Sequence, residues 1–549
     1  ETVILPESGE TSFGLFAQDE HGIAPSPNVV RVVDLENILE KEPNNTRETA
    51  TVGPAPAALN GILQEPADYD YFRFPAKKGQ VFDVRTYARE PLRSAVDTVI
   101  NVYRATGGSR VGGNDDSGGP DSYFRFTAPA DDDYILQIYD HLKAGGPEYV
   151  YRVEVSPPKP SLTLSLPEVQ QYVPVNIPVA RGNRMAVMVN AKRENLGGEL
   201  ALACEGMPQG MSLDVANMPA NRTDVPVLIS VAADAPLGGA LADLQARPVD
   251  ENLKHVVGHL RQRTMLVRGQ NNRDVWGHNA DRVALAVTEP LPFTIDIAQP
   301  KVPIVRRGSM GLKVVATRQE GFDGAIRLRM IYNPPGIGSS ASISIPAGKT
   351  EASIPLTANA GAALDTWRIV VVGSTALGGG TVQTATQFAN LTVADTYFDM
   401  VVGKTAAEQG QEVQLPVQIT KKQDFEGNAT AQLLGLPTGT TCEPVEFNKD
   451  ATEIAFKITI AADARPGRFK GVLCRTVVTA NGEPITHTLG PGELRIDKPL
   501  PPKPTDKPKP PPQAAPQPKP AAPPKPAAPK PLSRLEQLRQ EKLKEAQGK

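Results

Sequence analysis

The chain has 549 residues, 40% of them hydrophobic and 22% charged, with 53 prolines, 47 glycines and a net charge of −3. Its length fits about three to five domains, and the abundance of proline and glycine favours short strands and turns over long helices. Residues 498–549 carry 12 Lys and Arg against 4 Asp and Glu, which leaves the rest at −11 and argues against a nucleic-acid groove. Three cysteines, Cys204, Cys442 and Cys474, do not make a disulfide scaffold. Cys442 and Cys474 remain a candidate pair within one domain, and no apolar run approaches the ~20 residues that cross a bilayer.

Residues 1–39 read as the last strands of a preceding β domain, with a strand at 29–35. The chain opens inside a β-like pattern, so a piece of a longer exported protein is expected, with its export signal and upstream domains outside it. The block that follows opens with Glu40-Lys41-Glu42-Pro43-Asn44-Asn45. It runs through Gly61-Ile62, Asp68-Tyr69-Asp70-Tyr71-Phe72-Arg73-Phe74 and the acidic loop Asn114-Asp115-Asp116. It closes with Asp133-Tyr134-Ile135-Leu136-Gln137-Ile138 and Tyr149-Val150-Tyr151-Arg152. In the strand around Phe72, Asp70 and Arg73 interrupt a strict alternation.

In this order the motifs of 40–156 resemble the bacterial pre-peptidase C-terminal (PPC) domain. The resemblance implies a small, non-catalytic, jelly-roll-like β-sandwich of the kind attached to exported proteases and other secreted proteins. In the related collagen-binding domains of bacterial collagenases, an acidic entry segment and an Asp-containing strand loop supply calcium. By that resemblance the ligand role falls on Glu40, Glu42, Asn44 and Asp68. Asp70 and the nearby Glu65 would complete a cage of hard oxygen donors, such as the 6–8 oxygens that Ca²⁺ takes. Asn45 stands where an aspartate would bind better. The alternative is a set of solvated turn residues.

After the linker Pro157-Pro158-Lys159-Pro160 the sequence repeats itself. Gly182 and Gly198, Gly308 and Gly324, and Gly410 and Gly427 are followed by Gly210, Gly336 and Gly439, each in a proline-containing turn. A strand then runs into Ala232-Ala233-Asp234-Ala235 in the first copy and Ala461-Ala462-Asp463-Ala464 in the third. The second copy is looser. Units at 160–290, 291–397 and 398–497 are expected as three immunoglobulin-like sandwiches. They resemble the tandem modules of large exported bacterial proteins, especially planctomycete-type ones. The first copy carries an insertion around 245–279 with Trp276. This is either a functional loop or a hairpin whose tryptophan covers a sandwich edge. Residues 498–531 form a Pro/Lys-rich, polyproline-type spacer without a core of its own, and 532–549 reads as a short helix.

Other candidate chemistry is thinner. Asn114, Asp115 and Asp116 with Asp121 form either a second metal site or a turn with Asx bonding. Ser117 sits in a motif like that of trypsin-like nucleophiles, but the required His surroundings are missing. His255 and His259 lack the glutamate of a zinc-protease pattern and read as structural residues sharing one sheet face. Tyr149 and Tyr151 are either a binding face or core tyrosines. The sequence thus leads to an all-β, non-enzymatic chain, secreted, periplasmic or at the cell surface. It would serve extracellular interaction and spacing, with Ca²⁺ in its first sandwich and a matrix protein or polysaccharide as partner. It would bind no nucleic acid and adjoin upstream domains of the same protein. The competing reading is a non-catalytic region of a secreted peptidase.

Overall fold

The computed structural model describes residues 12–500, apart from positions 21, 90, 117–119 and 342. Ser117, the proline-rich spacer beyond residue 500 and the expected helix at 532–549 lie outside the described residues. Among the described residues the fold is all-β. There is no α-helix, only two short 3-10 turns at Glu251–Leu253 and Gln270–Asn272.

The chain begins with β1 (Ser12–Leu15), β2 (Gln18–Asp19), β3 (Gly22–Ile23) and β4 (Asn28–Arg31), which form two small antiparallel ribbons, β1 with β4 and β2 with β3. The first sandwich follows as β5 (Asn37–Leu39), β6 (Thr51–Val52), β7 (Ala57–Ile62), β8 (Asp70–Ala76), β9 (Val81–Tyr87), β10 (Thr98–Arg104), β11 (Arg110–Asn114), β12 (Tyr123–Thr127), β13 (Asp132–Asp140) and β14 (Val150–Ser156). One sheet has the order β11-β10-β13-β8-β6 and the other β12-β9-β14-β7-β5. The sandwich therefore takes in Asn37–Leu39, ahead of residue 40.

Alternation decides which residues face inward. Along β8, Asp70, Phe72, Phe74 and Ala76 are buried, while Tyr71 and Arg73 lie on the outer face. Arg73 thus keeps the alternation that the sequence alone suggested it broke. Within β8, Asp70 alone puts a charged group on the core face, where Phe72, Phe74 and Tyr151 are also buried. At the edges, β5 pairs in parallel with β7, and β6 in parallel with β8. Residues 40–50 must therefore cross from one sheet to the other, which carries Glu40, Glu42 and Asn44 past the start of β8.

Three further hydrophobic cores follow, spanning 162–287, 293–393 and 398–496. Their repeat geometry is explicit at one turn. Gly210, Gly336 and Gly439 have φ of 79°, 82° and 85°, the left-handed region that glycine tolerates best. A Cβ there would lie 2.7 Å from Ala235 Cβ, 2.5 Å from Ala362 Cα and 2.9 Å from Ala464 Cα. Their carbonyls accept from the amides of Ala232, Asn359 and Ala461 at 2.9, 2.9 and 2.8 Å. The looser second copy thus aligns through Asn359 and Ala362.

These cores abut closely. The buried Asn183 amide donates to Phe293 O and Thr384 Oγ1, both at 3.0 Å, beside an apolar cluster of Ala186, Leu228, Val370, Val372 and Ala385. Farther on, strand Gly308–Arg318 pairs with Glu483–Asp497 through Gly308 with His487 and Ser309 with Thr486, so one sheet runs from the third core into the fourth.

Several local expectations change. All three cysteines are free thiols, and burial pushes Cys204 up to about 11 and Cys474 up to about 12. His259 lies on strand Gly258–Leu260 and meets Asp243 Oδ1 at 3.0 Å, whereas His255 sits in the preceding turn, so the two do not share a sheet face. The insertion does form a hairpin, Gln262–Arg268 with Asp274–Ala280, but as a sheet of its own. Trp276 is 62% exposed and covers no edge.

Candidate metal site

The crossing segment, the end of β7, the start of β8 and the middle of β14 converge on one group of oxygens. Carboxylate oxygens of Glu42, Asp68 and Asp70 lie within 4.8 Å of one another. Asp68 is fixed from two sides, accepting from Gln64 N at 2.7 Å and Asn45 Nδ2 at 3.0 Å. Asn45, the residue less suited to ligation, thus orients a carboxylate instead. Glu42 accepts from Asn44 N at 2.8 Å, and Tyr71 N donates to Asn44 O at 3.0 Å, which pins the crossing segment to β8. The Glu65 side chain is exposed, and its carbonyl accepts from Asp68 N at 3.2 Å.

Asn44 is fully buried. Its side-chain nitrogen, turned toward the carboxylates, donates to Asp70 Oδ1 and Glu42 Oε2 at 3.1 Å each.

Behind these ligands lies Tyr151, buried in the core. Its hydroxyl is 2.5 Å from Asp70 Oδ2 and 3.0 Å from Glu40 Oε2. Glu40 Oε1 also accepts from Ile62 N at 2.9 Å. Tyr151 has one proton to donate and two carboxyl groups to serve, so it cannot fully satisfy both. Burial is the largest cause of Asp70 rising to about 9, partly offset by the Tyr151 bond and reinforced by the charges of Glu40 and Asp68. Burial likewise raises Glu40 above the usual carboxylate range. Gly61 faces Tyr151 across the β7–β14 ladder, and any Cβ there would overlap Glu40 Oε2 and the Tyr151 hydroxyl. Neither Gly61 nor Tyr151 was singled out for this site by sequence. A glycine inside a strand, which often marks a close approach, was the available signal.

Among the described residues, no lysine or arginine forms an ion pair with Glu40, Glu42, Asp68 or Asp70. The second acidic group differs. Asp97, Asp115 and Asp116 also bring carboxylate oxygens within 4.8 Å of one another, but each has a basic neighbour. Arg89 lies 3.4 Å from Asp97, His141 3.2 Å from Asp115 and Arg273 3.6 Å from Asp116. Asp121 stands apart, accepting from Ala88 N and Arg89 N at 3.1 and 2.8 Å, and Asn114 Oδ1 accepts from Tyr123 N at 3.1 Å. Asp97 was not visible as a member because it comes from the loop before β10. Tyr149 is half-buried against the same core as Tyr151, so the pair presents no open face.

No known family profile matches the chain. A probable subtilase-type serine protease of Deinococcus radiodurans is 33% identical over 109 residues, 19% of this chain and 15% of that protein's length. The pre-peptidase C-terminal domain of a Bacillus anthracis collagenase aligns at 16% identity over 21% of this chain and 100% of that domain, with a TM-score of 0.17. The periplasmic g-type lysozyme inhibitor PliG of Aeromonas hydrophila aligns at 21% identity over 20% of this chain and 96% of its own, with a TM-score of 0.16.

Proposed function

We propose that this chain is a non-catalytic, exported spacing and interaction region whose first sandwich, a PPC-like domain, binds calcium. The observation that carries the reading is the convergence of the carboxylates of exposed Glu42 and buried Asp68 and Asp70 beside the buried Asn44 side chain, with no lysine or arginine paired to them among the described residues. Aspartate, glutamate and amide oxygens are the donors that Ca²⁺ prefers. Glu40 stands behind them and shares the Tyr151 hydroxyl with Asp70. Bound calcium would supply the positive charge that lets Asp70 and Glu40 ionise, clamping the crossing segment 40–50 to β8. The packed junctions around Asn183 and Gly308 favour a stiff spacer. We further propose that the four cores correspond to one PPC-like and three immunoglobulin-like domains, and that a matrix protein or polysaccharide is the partner.

The similarity to a probable subtilase-type protease supports a second reading, an accessory region of a secreted peptidase. One experiment bears on both. The full chain, stripped of metal, is melted with and without calcium and incubated with unfolded casein. The reading expects a calcium-raised transition and no cleavage. Cleavage by the purified chain would overturn the non-catalytic assignment, and an unmoved transition would overturn the calcium clamp.

A further inference from the structure

The inserted hairpin of the second sandwich carries apolar surface that nothing in the fold covers. Val267 and Trp276 face each other across its ladder at 47% and 62% exposure, and Leu266 and Val275 beside them are also exposed. The hairpin is nevertheless held firmly at its base. His278 Nε2 lies 2.8 Å from Ser26 Oγ, which donates to Asn279 O at 2.8 Å, and Asp281 N donates to Pro25 O at 3.1 Å. On one flank the Arg268 guanidinium pairs with Glu168 and lies over the Tyr172 ring, 5.3 Å from its centroid. That neighbouring loop adds Val169 and Tyr172, both exposed, to the apolar surface.

Charge singles out the same element. Residues 261–282 hold five arginines against two aspartates, whereas residues 1–497 as a whole are negative. Arg273 at the turn pairs with Asp116 at 3.6 Å, yet its side chain stays 75% exposed and open to a phosphate as well. A rigid ribbon with tryptophan, valine and leucine beside arginine matches the interface of an anionic bilayer, where indole rings settle at headgroup depth and arginines meet phosphates. A glycan would stack on the aromatic ring but gains little from exposed Val and Leu side chains. No helix among the described residues is long and apolar enough to cross a membrane, so such contact would be peripheral.

We propose that this hairpin docks the chain onto an anionic lipid surface, with Val275 and Trp276 entering the headgroup layer and Arg273 contacting lipid phosphates. The inference does not depend on the calcium site. It is tested in the full chain carrying Trp367→Phe, which leaves Trp276 as the only indole, with chelator present throughout. Vesicles of phosphatidylcholine, with or without phosphatidylglycerol, are added. The expected result is a blue-shifted Trp276 emission and co-sedimentation with the anionic vesicles. Val275→Ser with Trp276→Ser should lower co-sedimentation about tenfold or more, with melting unchanged because both side chains are exposed, and Arg273→Glu should weaken it too. The proposal is overturned if neither vesicle shifts the emission or sediments the protein, or if the double variant binds equally. It is also overturned if the emission responds to dextran sulfate but not to vesicles. A dimer that the double variant abolishes, without vesicle binding, would assign the patch to a second copy and overturn it as well.

Discussion

Tyr151 and Asp70 meet across the core of the first sandwich, hydroxyl to carboxylate at 2.5 Å, with Glu40 3.0 Å from the same hydroxyl. A buried carboxylate is costly unless it is hydrogen-bonded, neutralised or paired with a cation. Here the first condition is met by one tyrosine shared between two acids. Tyr151→Phe should therefore destabilise the first sandwich by about 1–3 kcal/mol, measured by denaturant unfolding of the full chain without calcium.

Replacing Asp70 should act in opposite directions with and without metal. Asp70→Asn keeps an oxygen for Tyr151 and removes the cost of keeping a buried carboxyl neutral. Metal-free stability should rise by about 1–2 kcal/mol, while the stabilisation by calcium should disappear. Thermal melting of both proteins in chelator and in calcium checks the two signs together.

Gly61→Ala tests the packing behind the site. The added methyl has no room between Glu40 and Tyr151, so either β7 shifts or the shared hydrogen bonds part. A loss of about 2–3 kcal/mol is expected, with a weaker calcium response than wild type. Equal stability and equal response would mean that Tyr151 and Glu40 are not held as described.

The fourth sandwich should be acid-sensitive for a separate reason. His487 is completely buried against the Phe398 ring, with neither ring nitrogen hydrogen-bonded, and burial lowers it to about 4. A base whose folded pKa lies below its unfolded value of about 6.5 binds more protons when unfolded. Its contribution is therefore fully present above about pH 6.5 and lost as the pH falls toward 4, up to ~3 kcal/mol in all. His487→Leu should flatten this part of the stability–pH profile, which unfolding at pH 7 and pH 5 would show.

Much of the architecture was legible because turns and strands leave local marks. The glycines at 210, 336 and 439 recur because each lies against an alanine and needs φ near +80°. The acidic run from Glu40 to Asn44 and the pair Asp68 and Asp70 were legible as a group through their family resemblance. What was not legible depends on pairing between distant strands. Tyr151 reaches Asp70 and Glu40 only because β14 sets it opposite Gly61. Asp97 joins Asp115 and Asp116 only through the approach of separate loops. The exposure of Trp276 was hidden because a hairpin has the same strand pattern whether it covers an edge or stands clear of one.

The central claim is that the oxygens around Asp70 form a calcium site, and calorimetric titration of calcium into the metal-stripped full chain tests it most directly. The account predicts saturable binding in wild type that is lost in Asp70→Asn, with a matching calcium-dependent rise in melting temperature in wild type alone. No heat at millimolar calcium, or equal binding by Asp70→Asn, would contradict it.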